Sequence, residues 1–245
     1  MPATDYRERR APSALAPWVE CSWELTIDRS RPDGAHRVLP DGCIDLVWTA
    51  AAGLQVAGPN ATAFMAELPP GGGALGVRMH PGGAPALLGV SAPGLLDARV
   101  RASELWGARG ARLEEEVADA PTSGQRTAVL LRWLALQAQA ARAPDTTVWT
   151  LRSRLMAAAV PIGSLAREIG YGERQLRRRV IAEVGYGPKH LARVLRLRRT
   201  LAMARGDRSL SLTELAYDGG YADQAHLCHE CSALAGATPS ALLAS

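Results

Sequence analysis

The sequence predicts an α+β protein. We expect a small, mainly-β, barrel-like N-terminal domain that also contains helices, and an all-α C-terminal domain of two helix-turn-helix units joined by a linker helix. Short apolar runs separated by glycine and proline fill the first hundred residues. A helical period takes over from about Leu113, and a pattern near residue 165 returns 50 residues later. Short strands with many turns are typical of small barrels and sandwiches, and helical periodicity without strands indicates a separate layer.

The first predicted elements are strands. Apolar and polar residues partly alternate over residues 18–25, and residues 38–48 predict two short strands around the turn Asp41-Gly42. Residues 54–56 and 74–79 are further strand candidates, with glycine and proline clusters between them. These strands form the β part of the first domain.

A helix with an apolar stripe is predicted over residues 126–141, where Val129, Leu130, Trp133 and Leu134 recur without glycine or proline. Pro144 follows this helix and indicates a linker. The expected domains are therefore residues 1–145 and 146–245, and the second is predicted to contain helices only.

An internal repeat lies within the second domain. The residues Leu165, Ala166, Gly170 and Tyr171 return at a spacing of 50 as Leu215, Ala216, Gly220 and Tyr221. Gly185 and Pro188 return at a spacing of 51 as Gly236 and Pro239. Each copy predicts a helix ended by glycine, a tight turn and a second helix, which is the helix-turn-helix arrangement. One copy could belong to any helical hairpin, whereas two copies in register favour a pair of such units.

The second helix of the first copy, predicted over residues 173–184, has two chemically different faces. Leu176, Val180 and Val184 share one arc. The opposite arc carries arginine and amide side chains, namely Arg174, Gln175 and Arg178, with Arg177 and Arg179 at its margins. Arginine pairs with guanine and glutamine with adenine, and both also hold phosphates. The chemistry favours a recognition helix in a major groove.

Charge is distributed unevenly. Residues 1–149 carry −2, residues 150–208 carry +10 and residues 209–245 carry −4. A block of +10 in a compact region is typical of a phosphate-binding surface, although charge alone also fits a solvated basic face. Residues 188–205 predict a linker helix that adds the arginines Arg193, Arg196, Arg198, Arg199 and Arg205.

These features together resemble the DNA-binding domain of AraC-type transcription regulators. The resemblance covers residues 150–243 and rests on the segments 165–171, 185–188, 196–197, 219–226 and 236–239. It implies sequence-specific binding to promoter DNA by two helix-turn-helix units that enter successive major-groove segments. It also implies that residues 1–145 sense an effector or mediate dimerisation. A weaker resemblance, carried by the segments 39–42, 58–59, 76–78, 81–83 and 105–107, links the N-terminal part to a small domain found ahead of such regulators.

The second unit departs from the family pattern. The contacts that the resemblance implies there fall on Gln224, His226 and His229, and its outward face has no lysine or arginine. Val180 and Cys231 stand where phenylalanine is common, and Thr200 replaces an alanine. We therefore expect the first unit to bind DNA more strongly than the second, because phosphate neutralisation supplies much of the affinity.

Residues that could hold an effector are sparse in the first domain. Trp23 and Trp48 could line a pocket, although large aromatic residues more often form the core, and His80 is a polar candidate. Arg78 could bind an anionic effector or pair internally with Asp45. The expected partners are double-stranded DNA, a small-molecule effector or a second copy of the chain, and RNA polymerase if the protein is an activator. We expect no cofactor and no membrane association.

Two other classes of function fit the sequence less well. A catalytic N-terminal domain lacks a nucleophile-and-base arrangement in the sequence, and a DNA-repair protein would need a reactive thiol at Cys21 or Cys43. A zinc site at residues 226–231 is disfavoured because its histidine and cysteine pairs point to opposite sides of one helix. We therefore expect a protein that is not an enzyme and binds no metal.

Composition sets the remaining limits. Hydrophobic residues make up 47% of the 245, which is enough for a core, and no apolar run reaches the roughly 18 residues of a membrane helix. Residues 1–10 do not resemble a secretory signal, so a cytoplasmic protein with reduced cysteines is expected.

Overall fold

The computed structural model describes residues 4–30 and 35–244. Within these residues the chain forms an N-terminal region rich in strands and a C-terminal region made of helices, which confirms the predicted fold class. The strands are β1 (Thr4–Arg10), β2 (Val19–Ile27), β3 (Ala35–Val38), β4 (Ile44–Thr49), β5 (Gly53–Ala57), β6 (Phe64–Glu67), β7 (Gly73–Met79) and β8 (Arg99–Arg101).

Six strands form one antiparallel sheet in the order β1-β2-β7-β4-β5-β8, and β3 pairs with β6 in a separate two-stranded ribbon. The predicted turn at Asp41-Gly42 is present: the Asp41 carboxylate accepts the Cys43 amide at 2.9 Å, and Gly42 has a φ of +78°. Its two flanking strands do not pair with each other, because β3 joins β6 whereas β4 lies between β5 and β7.

One face of the large sheet packs against helices. The helices of this region are α1 (Ala84–Leu88), α2 (Ala102–Trp106), α3 (Ala108–Asp119) and α4 (Ser123–Ala138). Their apolar side chains join those of the sheet in one core, which includes Leu46, Val77, Leu113, Leu130 and Leu134. The helix predicted over residues 126–141 is α4, which starts three residues earlier because Thr122 caps it by accepting the Gln125 amide.

The C-terminal region contains the helices α5 (Thr146–Ala157), α6 (Ile162–Glu168), α7 (Glu173–Val184), α8 (Pro188–Gly206), α9 (Leu212–Gly219), α10 (Gln224–Ala235) and α11 (Pro239–Ala244). The sequence repeat corresponds to a structural repeat. Gly170 and Gly220 have φ angles of +77° and +79°, and Gly185 and Gly236 end α7 and α10 with φ of +86° and +63°. Only glycine adopts this left-handed conformation at low cost, so its recurrence fixes both turns.

The linker helix α8 contributes to the cores of both units. Leu191 and Leu195 pack with α5, α6 and α7, whereas Leu197 and Leu201 pack with α9 and α10. Because its side chains are buried in both cores, α8 holds the two units in a defined relation.

The N-terminal region contacts both units. The Ala63 amide donates to the Leu234 carbonyl at 2.7 Å, and His190 Nε2 lies 2.8 Å from the Ala61 carbonyl. Ion pairs join Asp41 to Arg198 at 3.1 Å and Glu20 to Arg152 at 2.8 Å. Among the described residues, no helix has both the length and the apolar character needed to cross a membrane.

Candidate nucleic-acid interface

The first helix-turn-helix unit is formed by α6 and α7. The Tyr171 amide donates to the Ala166 carbonyl at 2.8 Å and closes the turn, and α7 begins after Gly172. Leu176, Val180 and Val184 are buried, as the pattern predicted. The apolar arc of α7 therefore packs into the core of the unit, and its polar arc faces outward.

The outward arc of α7 carries three of the predicted DNA-binding side chains, Arg174, Gln175 and Arg178, and all are exposed. Within the described chain none of them makes a side-chain hydrogen bond or ion pair, so their donors are available to a ligand. Arg177 is also exposed, whereas Arg179 pairs with Asp145 at 2.7 Å and lies 4.8 Å from the Tyr171 ring centroid. Arg179 is therefore engaged inside the protein.

The second unit, α9 and α10, begins its recognition helix differently. Asp223 caps α10 by accepting the His226 amide at 2.7 Å. His226 is half-buried against the Tyr221 ring, and its Nδ1 accepts the Ala222 amide at 3.2 Å, so this nitrogen is not free for DNA. Gln224 and His229 are exposed, and the amide oxygen of Gln224 accepts from Thr213 at 3.3 Å.

The cysteines and histidines of α10 do not converge. Cys231 is fully buried in the core of the second unit, whereas His229 is exposed. Over the described ranges, no three histidine, cysteine, aspartate or glutamate side chains are grouped as a metal ion would require.

Three arginines of α8, Arg193, Arg196 and Arg199, are engaged with neighbouring helices, which the sequence did not predict. Arg193 makes a bidentate pair with the buried Glu230 of α10, at 2.8 to 3.1 Å, and Arg196 reaches the same carboxylate at 3.4 Å. Arg199 donates to the Leu155 and Gly219 carbonyls at 3.1 and 2.8 Å. Glu230 is buried, and a buried carboxylate needs such a partner.

The two recognition helices have the same orientation relative to the N-terminal region. The carboxyl end of α7 lies beside it, since a Cβ on Gly185 would be 3.0 Å from the Ala92 carbonyl oxygen. The carboxyl end of α10 also lies there, through the Leu234 carbonyl. Their amino-terminal turns are exposed, and these turns contact base edges in helix-turn-helix proteins. The N-terminal region therefore leaves the expected DNA-facing ends accessible.

The four effector candidates are not brought into one pocket. Trp23 lies opposite Gly76 and Trp48 opposite Leu75, so the two rings are on opposite faces of the sheet. Trp23 donates to Asp45 at 3.0 Å, whereas Trp48 packs beneath the Arg126 guanidinium. A pocket shared by the two tryptophans is thus excluded, because adjacent register positions point to opposite sides.

Arg78 forms the internal ion pair with Asp45 that was the alternative to effector binding. Its guanidinium lies 3.4 Å from Asp41, 3.4 Å from Asp45 and 3.3 Å from Glu8. Burial by itself would raise the pKa of Asp41, but Arg78 and Arg198, together with the Cys43 amide and Arg152, hold that pKa below its ordinary value. Burial raises the pKa of Asp45 to about 6, against the opposing charge of Arg78.

His80 and the two N-terminal cysteines lie close to this charge cluster. His80 Nδ1 is 4.0 Å from Glu20, and burial lowers the pKa of the imidazole. Burial raises the pKa of the Cys21 thiol to about 12 and also raises that of Cys43 well above its ordinary value. Both thiols are protonated at neutral pH, which disfavours the DNA-repair alternative because the thiolate is the reactive form.

Comparison with known proteins supports the C-terminal assignment. Residues 165–245 match a family described as a helix-turn-helix domain, of the AraC type, and residues 7–101 match one described as "Domain of unknown function (DUF6597)". The chain thus carries an AraC-type helix-turn-helix domain, as the resemblance of residues 150–243 implied. No curated protein matches the chain.

The chain is similar to solved structures of ToxT from Vibrio cholerae at low sequence identity. One crystal structure is 8% identical, with 99% of this chain and 98% of that chain covered and a TM-score of 0.45. A second, of wild-type ToxT bound to unsaturated fatty acid, is 9% identical, with 98% and 94% covered and a TM-score of 0.44.

Proposed function

Because residues 165–245 form an AraC-type helix-turn-helix domain, we propose that this DNA-binding transcription regulator binds promoter DNA chiefly through the first unit. The observation that carries the proposal is the exposed arc of α7, where Arg174, Gln175 and Arg178 have no partner in the described chain. Such side chains can contact base edges and phosphates without first breaking an internal pair, so binding does not cost those contacts.

The second unit adds a weaker contact in this proposal. Its amino-terminal turn offers the amide of Gln224 and the imidazole of His229, while its segment carries −4. The excess of basic residues lies in the first unit and in α8. Because basic side chains neutralise DNA phosphates, the first unit should contribute more of the DNA affinity than the second.

The N-terminal domain, residues 1–145, serves regulation in this proposal. It contacts α8 and the carboxyl ends of both recognition helices, so an effector or a second copy bound to it can alter how the two units are held. A protein with this role acts in the cytoplasm, where promoter DNA and RNA polymerase are available.

The double substitution Arg174→Ala/Arg178→Ala tests the proposal. DNA fragments bound by the wild-type protein are first selected from a random library, and affinities are then measured by gel shift. We expect specific binding to weaken at least tenfold, since each lost base contact costs about 1–3 kcal/mol. The helical circular dichroism should not change, because both side chains are exposed.

The matched control is Arg9→Ala/Arg10→Ala, which removes the same charge from exposed positions of β1. This variant should bind DNA as the wild type does. Unchanged affinity in the α7 variant, or an equal loss in both, would contradict the assignment of α7 as the recognition helix.

A further inference from the structure

A groove of about 280 Å³ lies between the two helix-turn-helix units. One wall is the end of α5 with the segment that connects it to α6, including Leu155, Ala158 and Pro161. The other wall is one side of α8, which contributes the arginines Arg193, Arg196 and Arg199. A Cβ on Gly220 would lie 2.8 Å from Ala159 Cβ, so the turn of the second unit closes one end of the groove.

The arginines of the groove carry more positive charge than their protein partners neutralise. Glu230 is the carboxylate that pairs with Arg193 and Arg196, while Arg199 donates to two carbonyl groups, which are neutral. The groove therefore contains three guanidinium groups but only one carboxylate that pairs with them. Arg196 also donates from Nη1 to the Gly220 carbonyl at 3.2 Å, and its side chain stays partly exposed. An arginine has five N–H donors in a planar fork that suits phosphate, so donors remain after the internal bonds are counted.

The groove lies on the side of α8 away from the N-terminal region. At 100° per residue, Arg196 is about 160° and Arg193 about 140° around the helix from Arg198 and its Asp41 partner, and Arg199 is about 100° from it. The same side carries the exposed amino-terminal turns of α7 and α10, because their carboxyl ends meet the N-terminal region. A duplex that spans both recognition helices therefore has its backbone near the mouth of the groove.

We propose that this groove binds a phosphodiester group of the DNA backbone between the two major-groove segments. The inference rests on the proposed function, since it needs DNA to span both units. Arg196 and Arg199 supply the charge and the free donors, and Arg193 holds Glu230 and thereby fixes the neighbouring Arg196. The contact is independent of base sequence, so it positions the duplex and adds to affinity.

Ethylation interference with the wild-type protein tests the site without any substitution. Phosphates of the selected DNA are ethylated at random, and bound and free fractions are compared. We expect interference at one or two phosphates between the two segments contacted by α7 and α10. Interference confined to phosphates beside those two segments would overturn the proposal while leaving the proposed function intact. Absence of any specific DNA binding would instead contradict the proposed function.

The substitution Ala158→Glu tests the groove from the protein side. Ala158 is exposed at the groove, so a carboxylate there competes with phosphate while every arginine is kept. We expect affinity to fall roughly three- to tenfold near 0.1 M salt, and the slope of log affinity against log salt to decrease by about 0.9 for one phosphate. Circular dichroism establishes that the variant is folded; if it is not, the interference pattern decides.

The matched control is Ala241→Glu, the same change at an exposed position of α11 that does not line the groove. A smaller loss than that of Ala158→Glu is expected, and equal losses would overturn the proposal. Inorganic phosphate distinguishes a free anion from DNA. Saturable thermal stabilisation of the wild-type protein by phosphate, absent in Ala158→Glu, would assign the groove to a free anion and overturn the DNA assignment. We expect no such saturation.

Discussion

Asp45 lies on β4, where it shares the Arg78 guanidinium with Asp41 and accepts the Trp23 indole N–H. Burial raises its pKa from 3.8 to about 6 despite Arg78. Well below pH 3.8 the carboxyl group is protonated in both the folded and the unfolded chain. As the pH rises towards 6 the unfolded chain releases its proton first, so the wild-type protein loses stability over this interval.

We therefore expect Asp45→Asn to gain stability relative to the wild type by about 2 kcal/mol between pH 4 and pH 7, as the size of the shift implies. Urea unfolding at several pH values measures the difference. Asp28→Asn is the control, because hydrogen bonds from Ser30 lower the pKa of that exposed carboxylate. This variant should lose stability relative to the wild type as the pH rises, which is the opposite sign. A pH-independent difference for Asp45→Asn would contradict the prediction.

The sequence predicted some residues of the DNA interface correctly but not which arginines form internal ion pairs. The outward positions of Arg174, Gln175 and Arg178 follow from helical periodicity, and all are exposed. Arg179 and Arg193 also carry a positive charge, but Arg179 forms an ion pair with Asp145 and Arg193 forms one with Glu230. Those partners lie 34 and 37 residues away. No local pattern predicts such pairs, because they depend on how α5 and α10 pack.

At the scale of elements, the two turns of the repeat share a backbone but differ in their surroundings. Gly170 has open space where a Cβ would lie, whereas a Cβ on Gly220 would be 2.8 Å from Ala159 Cβ. We expect Gly170→Ala to cost about 1–2 kcal/mol from its positive φ alone. Gly220→Ala should cost about 1–3 kcal/mol more, because the added methyl group overpacks the contact between the units.

The double variant Gly220→Ala/Ala159→Gly tests this contact, with Ala159→Gly alone as the reference. Removing the Ala159 methyl group should recover the steric part of the stability lost in Gly220→Ala and leave the part due to the backbone. Urea unfolding of the wild type, the two single variants and the double variant would show this recovery as a coupling energy. Additive effects would mean that the two units do not touch at this point.

Elements differed in how well the sequence predicted them. Periodicity and the repeat located α4 and the helices of both units, since apolar spacing and end glycines act locally. The edge strand β1 was missed because its exposed residues are mostly charged, which is how an edge strand avoids pairing with other chains. The strands around Asp41-Gly42 were located, but their partners were not, because pairing is set by the rest of the sheet.

At the scale of the whole molecule, charge and apolar contacts connect the two predicted domains. Leu96 packs against the core of the first unit and Leu39 against that of the second. Arg152 and Arg198 cross the boundary to Glu20 and Asp41. Isolating the C-terminal part would leave these arginines unpaired and expose apolar side chains, which should lower its stability without removing the DNA-facing arc of α7.

The boundary after residue 145 remains a prediction, and two fragments test it. We expect residues 144–245 to fold and bind DNA alone, because α5 to α11 contain the cores of both units. Residues 146–245 lack Asp145, which caps α5 by accepting the Thr147 amide at 2.9 Å and pairs with Arg179. Loss of a cap costs about 0.5–2 kcal/mol, so the shorter fragment should unfold at lower urea concentration.

Asp145→Asn in the longer fragment is the matched control for this last prediction. Asparagine is also a good cap, so the variant should lose only the charge of the Arg179 pair and should be more stable than the shorter fragment. DNA affinity of the folded fragments should fall as salt rises, since α7 and the groove of α8 are complete in both. Equal urea midpoints for the two fragments would show that Asp145 does not stabilise α5, and a folded longer fragment without salt-sensitive DNA binding would contradict the independence of the domain.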